Sequence, residues 1–341
     1  MKPHKSKKWK LAKRLLSWLF LTVTLALIIF YAQKIDWKEV WQVLRNYDRR
    51  ALWAAAGLTA LSYLIYGGYD LLARVQYHHR LEKRQVMLVA FICYAFNLTL
   101  STWVGGIGMR YRLYSQLGLS KGMITRIFSL SISTNWLGYI LLGGVLFTSA
   151  MVPLPSHWYL SESTLQLLGG VLLAIIIGYI WCCARAKKRH ITLFKQRFEL
   201  PAWRFALLQL TLSSVNWMIM AAIIWLLTDQ QVNYFLLLGV LLVSSIAGVI
   251  IHIPAGIGVL EAVFIALLAT EPVSKGNLIA ALLAYRTLYF FIPLFLAALC
   301  YLWMEHRARQ SAVGNQSAPK SMAPRMHHTP ERQRGADTGP R

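Results

Sequence analysis

Apolar segments of bilayer length recur along the whole chain, and they constrain the fold more than any other feature. They cover residues 15–31, 51–72, 86–104, 124–150, 165–183, 203–227, 234–252 and 277–303. About 20 apolar residues in a helix span the hydrocarbon core of a membrane. With 57% hydrophobic and 14% charged residues, a chain of 341 residues carries more apolar surface than a soluble domain can bury. The sequence therefore predicts an all-α, polytopic helical bundle in a membrane.

Two apolar segments run into breaks, at residues 102–110 and 251–261. The residues that shape the backbone there are Gly105, Gly106, Gly108, Pro254, Gly256 and Gly258. The stretches after them, 105–119 and 256–270, reach only about 22 Å as helices, short of a hydrocarbon core of about 30 Å. Irregular backbone at membrane depth is tolerated where it is buried in protein or lines a polar cavity. We interpret each break as the tip of a re-entrant hairpin.

The basic residues of the loops predict the topology. Residues 1–14 hold seven Lys and Arg, 73–85 hold four and 185–202 hold six, whereas 151–164 and 228–233 hold none. Because Lys and Arg concentrate in cytoplasmic loops, the rich loops are placed inside. This pattern requires six full crossings and two re-entrant hairpins, with both termini in the cytoplasm. We expect the protein to lie in the inner (plasma) membrane of a bacterium.

One loop resists this arrangement, and the two ends of the chain lie outside the membrane domain. Residues 33–50 carry five Lys and Arg yet fall on the outer side, where an amphipathic interfacial helix or an ordinary solvated loop accounts for them. We expect a basic cytoplasmic N-terminus over 1–14 and a single transmembrane domain over 15–305. The polar segment 306–341 is expected to be a disordered cytoplasmic tail.

The two halves of the domain, 51–150 and 201–303, show signs of an internal repeat. Trp53 matches Trp203 at an offset of 150 residues, as Gly106 matches Gly256 and Gly108 matches Gly258. The Ser-Lys-Gly triplets that begin at residues 120 and 274 match at an offset of 154. The predicted topology gives the halves opposite orientations, as in transporters built from inverted repeats.

The glycine breaks and two nearby arginines form the first candidate site. A helix that begins after a tight turn presents free N–H groups and a positive dipole end, which suit a phosphate. Arg110 and Arg112 follow the first break, and arginine binds phosphate through paired hydrogen bonds. The alternative is that Gly105, Gly106 and Gly108 only permit close packing of helices.

Two acid–base pairs are predicted from spacing. Glu261 lies in the first turn after Gly258, and Arg286 in the last apolar segment is its most plausible partner. This pair is either purely structural or opens to hold a zwitterionic head group. Asp70 and Arg74, four residues apart, fit an ordinary pair on one helix. The polar residues Asn97, Asn135, Asn216 and His252 are expected to join helices by hydrogen bonds.

Composition limits the partners and the chemistry. The formal net charge of +23 lies mostly in loops and termini, so it indicates anionic or zwitterionic membrane lipids rather than nucleic acid as partners. The four cysteines lie in apolar segments without metal-ligand spacing. The sequence has no nucleotide-binding loop or nucleophile elbow. We expect no cofactor, no metal and no catalytic residue, and the sequence points to no particular protein partner.

The breaks also carry a family resemblance. The stretch Ile251-His252-Ile253-Pro254-Ala255-Gly256-Ile257-Gly258-Val259-Leu260-Glu261 resembles the signature of the transmembrane region of lysylphosphatidylglycerol synthase/flippase proteins. Residues 97–112 are similar to the YbhN-type inner-membrane proteins of Gram-negative bacteria. The likeness covers residues 8–308. It implies a module that translocates lipids, while synthesis of an aminoacylated lipid in multidomain members belongs to a soluble domain that we do not expect here.

Three functions remain open from the sequence. The first is a translocator of a phospholipid or lipid-linked head group, with a lipid site formed by the glycines and Pro254 of both breaks together with Arg110, Arg112, Glu261 and Arg286. The second is a membrane-embedded enzyme that modifies lipids. The third is an adaptor in an envelope complex that handles lipids.

Overall fold

The computed structural model describes residues 45, 47–100, 102–151, 161–185, 190–193, 196–199, 201–251, 258–268, 273 and 275–317. The first half contains α1 (Arg49–Tyr77), α2 (Lys83–Thr99), a π-helix π1 (Thr102–Met109), α3 (Arg110–Gln116), α4 (Lys121–Thr148) and α5 (Glu162–Arg185). A short antiparallel hairpin of β1 (His190–Leu193) and β2 (Gln196–Glu199) follows. The second half contains α6 (Trp203–Leu227), α7 (Tyr234–Ile251), α8 (Val259–Leu267), α9 (Lys275–Arg286), π2 (Thr287–Phe291) and α10 (Ile292–Ser317).

The predicted helical fold class is confirmed, and the hairpin β1–β2 is a small addition within the basic loop at 185–202. Five helical stretches are long and apolar enough to cross a membrane: Arg49–Tyr77, Lys121–Thr148, Glu162–Arg185, Trp203–Leu227 and Asn277–Arg307. They overlap the five predicted full crossings that lie in the described residues. The remaining predicted crossing, 15–31, lies outside those residues, so the total number of crossings stays a prediction.

Local signals set the helix ends near the site. α1 ends at Tyr77, because the next residue, His78, has a left-handed backbone with a φ of 50°. The backbone N–H of Glu82 donates to the side chain of Gln85, which helps to begin α2. At the start of α4, the Ser120 hydroxyl accepts a hydrogen bond from the Met123 N–H at 3.3 Å.

The chain reverses direction between α2 and π1. Gly105 of π1 packs against the backbone of Phe96 and Asn97, and the Arg110 guanidinium lies over the Tyr94 ring. These contacts run antiparallel, so the chain turns back between Thr99, where α2 ends, and Thr102, where π1 begins. The predicted tip at Gly105 and Gly106 is therefore displaced. The two glycines lie on the returning segment because α2 already ends at Thr99.

The second predicted hairpin is only partly within the described residues. α7 and α8 pack against each other. The segment that joins them, 252–257, lies outside the described residues, and with it Pro254 and Gly256. The predicted amphipathic helix at 33–50 lies mostly outside them as well. α10 continues to Ser317, past the predicted start of the tail at residue 306, and residues 318–341 lie outside the described part.

Contacts between the halves support the predicted repeat. The Tyr63 hydroxyl donates to the Tyr289 carbonyl at 3.1 Å, and the Trp217 Nε1–H donates to the Asn135 carbonyl at 3.3 Å. The two bonds exchange when each residue is shifted by one repeat of 154 positions, the spacing that also separates Ser62 from its partner Asn216. Reciprocal contacts of this kind arise from a two-fold relation.

The helix boundaries fix the offset between the halves. α1 and α6 begin at Arg49 and Trp203, and α4 and α9 begin at Lys121 and Lys275, with the same spacing of 154 positions as Ser62 and Asn216. The match of Trp53 with Trp203 at an offset of 150 is therefore not the structural correspondence. The opposite orientation of the halves across the membrane stays a prediction.

Candidate functional site

A buried ion pair joins α1 to α3. The Arg110 Nη2 lies 2.7 Å from the Asp70 Oδ1, and its Nε donates to the Asp70 Oδ2 at 3.4 Å. Asp70 is fully buried and Arg110 is 2% exposed. Charges at this depth persist only when they are paired and hydrogen-bonded, because removing an ion from water has a high free-energy cost.

Two hydroxyl groups complete the shell of Asp70. The Tyr114 hydroxyl donates to Oδ2 at 2.7 Å, and the Ser131 hydroxyl donates to Oδ1 at 2.6 Å. Asp70 thus accepts four hydrogen bonds from α3 and α4, while it belongs to α1. The carboxylate holds three elements together and fixes the position of the guanidinium.

Aromatic rings cover the guanidinium of Arg110. Its Cζ lies 4.7 Å from the centroid of the Tyr94 ring and 5.8 Å from that of Phe128. Tyr94 also stacks on Tyr66, with 4.2 Å between ring centroids. Cation–π contacts of this kind stabilise a guanidinium that has lost its water. Asp70 uses only the Nε and Nη2 of Arg110, so the third nitrogen is not used by the carboxylate.

The predicted pair of Asp70 with Arg74 is wrong. Arg74 instead donates from its Nε to the Leu81 carbonyl at 2.7 Å and so stabilises the turn after α1. Asp70 faces the bundle, where Arg110 approaches because the chain turns back between α2 and π1. Sequence spacing alone favoured the neighbour on the same helix.

His79 lies near this centre but outside the spanning segments. It is buried, and neither ring nitrogen has a hydrogen-bond partner in the described part of the chain. Burial lowers the pKa of His79, the positive charge of Arg74 lowers it further, and Asp70 opposes the change. The cation that contacts Asp70 is Arg110.

A cavity of about 670 Å³ opens beside Arg110. Its size falls within the usual range for a small-ligand site. The polar or charged residues that line it are Asn97, Thr102, Arg110, Ser131, Asn135, Ser244 and Ser245. Arg110 is the only charged residue among the described residues of the lining. Its partner Asp70 is not among the lining residues. Both halves of the domain contribute to the walls.

Three polar groups of the lining have no partner among the described residues. They are the Oδ1 atoms of Asn97 and Asn135 and the hydroxyl of Tyr285, which is 1% exposed. Buried polar atoms without a hydrogen bond are rare and raise the free energy of the empty fold. Their clustering around one cavity indicates a place for a polar ligand.

The three glycines of the first break have different surroundings. Gly106 lines the cavity, and a Cβ there would meet the Asn97 Oδ1 at 3.0 Å and the Phe128 ring at 3.3 Å. Gly105 instead lies against the backbone of α2, so it serves close packing. Gly108 lies half-buried in π1 and is not among the lining residues.

Arg112 does not join Arg110. It is exposed on α3 and is not among the residues that line the cavity. Two residues along a helix point to different faces, so only one of the two arginines faces the cavity. The predicted cooperation of both arginines at one phosphate is not what the structure shows.

The predicted pair of Glu261 with Arg286 is confirmed. The Arg286 Nε lies 2.6 Å from the Glu261 Oε1, and the Nη2 donates to Oε2 at 3.0 Å. Glu261 Oε2 also accepts the Gly258 N–H at 2.8 Å and thereby caps α8. The pair is not among the cavity lining, although the adjacent Leu260 and Tyr285 are.

Gly258 permits this cap because its φ of 83° is unfavourable for residues with a side chain. Replacing Gly258 with alanine is expected to lower stability by about 1–2 kcal/mol, since no atom lies within 4 Å of the new Cβ and the cost is purely backbone strain. Thermal unfolding of the purified protein in detergent measures the change. Gly170→Ala on exposed α5 also meets no neighbour, so an equal loss there would contradict the argument.

The sequence did not predict Tyr94, Tyr114 and Ser131 as members of the site. The available signal was Asp70 itself, because an acidic residue inside an apolar segment requires buried partners. Tyr114 and Ser131 are ordinary residues in their segments, and only the folded bundle brings their hydroxyls within 2.7 Å of the carboxylate.

The bundle of long apolar helices defines a multi-pass membrane protein, and its buried ion pair lies beside an internal cavity. The chain belongs to the family described as the lysylphosphatidylglycerol synthase TM region, which matches residues 15–297. It is 65% identical over 311 residues to inner membrane protein YbhN of Escherichia coli (strain K12), a match that covers 91% of this chain and 98% of that protein. These findings support a multi-pass location in the inner membrane.

More distant relatives extend the comparison. An uncharacterised protein of Synechocystis sp., slr0712, is 29% identical over 291 residues, which cover 82% of this chain and 89% of that protein. A phosphatidylglycerol lysyltransferase of Staphylococcus epidermidis is 27% identical over 88 residues. That match covers 25% of this chain and only 10% of the lysyltransferase, so it concerns a small part of the larger protein.

Proposed function

We propose that the protein translocates a phospholipid or a lipid-linked head group between the leaflets of the inner membrane. The observation that carries the proposal is Arg110, a buried guanidinium that lines a cavity of about 670 Å³ inside a membrane bundle. An ionisable residue within a membrane domain is by default a functional candidate, because burying it is costly. A phosphate is the anion that membrane lipids supply.

The ion pair holds Arg110 ready for such a ligand. Asp70 occupies the Nε and Nη2 and keeps the side chain in place, and a phosphate oxygen would bind at the N–H groups that the carboxylate does not use. The paired charges are neutral together, which lowers the cost of the empty state. A phosphate that enters would be attracted by the Arg110 guanidinium and repelled by the Asp70 carboxylate, so it would bind at the nitrogen that Asp70 does not contact.

The two halves provide a route for alternating access. The described lining residues lie between Tyr66 and Tyr139 in one half and between Trp217 and Phe290 in the other. Rocking of one half against the other would expose the cavity to each leaflet in turn, as repeat-built transporters do. Acyl chains would remain in the bilayer while the head group crosses in the cavity. In this proposal both termini and the basic loops face the cytoplasm.

Purified protein in liposomes that contain fluorescent phosphatidylglycerol tests the proposal, with chemical quenching of the outer leaflet as the readout. We expect rapid loss of the inner-leaflet signal only in vesicles with protein. Arg110→Lys keeps the charge beside Asp70 but loses the planar fork, so translocation should slow by about ten-fold. Arg112→Ala, on the exposed face of the same helix, should retain the wild-type rate.

A cavity-filling variant covers the case in which Arg110→Lys folds poorly. Ser245 lines the cavity, and its hydroxyl bonds only within its own helix, to the Leu241 carbonyl. Ser245→Trp should block translocation, whereas Leu168→Trp on exposed α5 should not. Equal rates with and without protein would reject translocation. Mass spectrometry of the same vesicles separates the enzyme alternative, because an enzyme would change the lipid species.

A further inference from the structure

The cavity is arranged in layers along α4. Ser131, Asn135 and Tyr139 all line it, and successive members are four residues apart. Ser131 belongs to the ion-pair layer through its bond to Asp70. Asn135 lies one helical turn, about 5.4 Å, farther along. Asn97 of α2 also lines the cavity, and it stands beside Gly106, which precedes Arg110 by four residues. Asn97 and Asn135 therefore form an amide layer next to the ion-pair layer.

The amide layer has hydrogen-bonding capacity that the described residues leave unused. The Oδ1 atoms of Asn97 and Asn135 and the Tyr285 hydroxyl have no partner there. An amide presents an acceptor and a donor side by side, and a phenol is both donor and acceptor. A hydroxyl group, which also donates and accepts, matches this set. An ammonium group can donate to the same oxygens, so hydrogen bonding alone does not separate the two groups.

The charges of the lining decide against an ammonium group. Arg110 is the charged side chain among the described lining residues, and the carboxylate behind it already accepts four hydrogen bonds. Glu261 is engaged by Arg286 and lies outside the lining. A cationic head group would therefore lose its water in a medium of low dielectric without finding an unengaged carboxylate among the described lining residues.

Three aromatic residues of the lining do not reverse this preference against an ammonium group. Trp136, Tyr139 and Trp217 form edge-to-face contacts, with centroids 5.3 and 5.4 Å apart. A cation–π contact recovers only part of the free energy that an ammonium loses with its water. The same rings pack well against the C–H groups of a polyol, which carries no such penalty.

Resting on the proposed function, we propose that the cargo of this cavity is an anionic phosphodiester lipid whose distal group is uncharged and bears hydroxyls. Its phosphate contacts Arg110, and its hydroxyls contact Asn97, Asn135 and Tyr285. Lipids that carry an ammonium group, including aminoacylated ones, are poor cargo for this chain.

Translocation rates in liposomes test this inference with three fluorescent probes. They are phosphatidylglycerol, which bears hydroxyls, phosphatidylmethanol, which has the same charge without them, and phosphatidylethanolamine, which bears an ammonium. We expect phosphatidylglycerol to cross at least ten times faster than each of the other two. Equal rates for phosphatidylglycerol and phosphatidylethanolamine would overturn the inference while leaving translocation intact. Absence of protein-dependent movement for all three would reject translocation itself, and the inference with it.

A charge substitution sharpens the test. Asn135→Asp places a carboxylate in the amide layer and should shift the ratio of the two rates at least ten-fold toward phosphatidylethanolamine. Asn97→Asp should shift this ratio of rates in the same direction, and it replaces the first variant if Asn135→Asp does not fold. The matched control is Asn233→Asp, because Asn233 is exposed, caps α7 and lies outside the cavity. An unchanged ratio in both cavity variants would contradict the inference.

Discussion

Replacing Asp70 with alanine is expected to destabilise the protein by about 3–5 kcal/mol, the range for removing one partner of a buried ion pair. The variant leaves Arg110 charged at 2% exposure and removes the acceptor of the Tyr114 and Ser131 hydroxyls. Three groups thus lose their partner at once. The measurement is thermal unfolding of the purified protein in detergent, supported by the yield of monodisperse protein.

A paired substitution separates the charge from the packing. Asp70→Leu combined with Arg110→Met removes both charges and keeps most of the volume, so the double variant should be clearly more stable than Asp70→Ala. Because it lacks the guanidinium, it should be inactive in the liposome assay. A loss below about 1 kcal/mol for Asp70→Ala would show that the pair is not the centre of this bundle.

Asp48→Ala is the matched control for loss of an acidic residue. Asp48 is exposed, and its side chain accepts the Arg50 N–H at 3.1 Å at the start of α1. Its removal should cost about 1 kcal/mol, the usual value for a helix cap. The difference between the two variants measures what burial adds to the loss of a carboxylate.

The parts of the site that the sequence predicted are those that local rules determine. Glu261 lies in the first turn after a break, and Arg286 is a basic residue deep in the last apolar segment, so each required an opposite charge. The partner of Asp70 was not predictable in this way. Arg74 satisfied the spacing rule on the same helix, whereas Arg110 reaches Asp70 only through a reversal that the apolar pattern does not reveal.

The first glycine break shows a second limit of prediction from the sequence. Gly105 and Gly106 are adjacent and chemically identical, yet one packs against α2 and the other lines the cavity. Their roles depend on the register of π1, whose backbone turns less per residue than an α-helix. The same register turns Arg110 inward and leaves Arg112 exposed. Both arginines were expected at one phosphate because they follow the glycines closely in the sequence, and closeness in sequence does not determine which face of a helix a side chain occupies.

Replacing Gly105 with leucine is expected to destabilise the protein by about 3 kcal/mol or more, at the upper end of overpacking effects. A Cβ at this position would collide with the backbone of Phe96 and Asn97, which cannot rotate away as a side chain can. π1 would have to separate from α2, and Arg110 would move with it. We therefore expect loss of translocation together with the fall in thermal stability.

A graded series of alanine variants tests whether this close approach is the cause. At Gly106 the nearest atoms belong to side chains, Asn97 Oδ1 at 3.0 Å and Phe128 Cε2 at 3.3 Å, which can shift by a few tenths of an ångström. At Gly57 nothing lies within 4 Å, so alanine should stabilise α1 by about 0.5–1 kcal/mol. The expected order of destabilisation is Gly105, then Gly106, then Gly57. If alanine is tolerated at Gly105 as well as at Gly57, π1 does not pack on α2, and the cavity beside Arg110 loses the wall that shapes it.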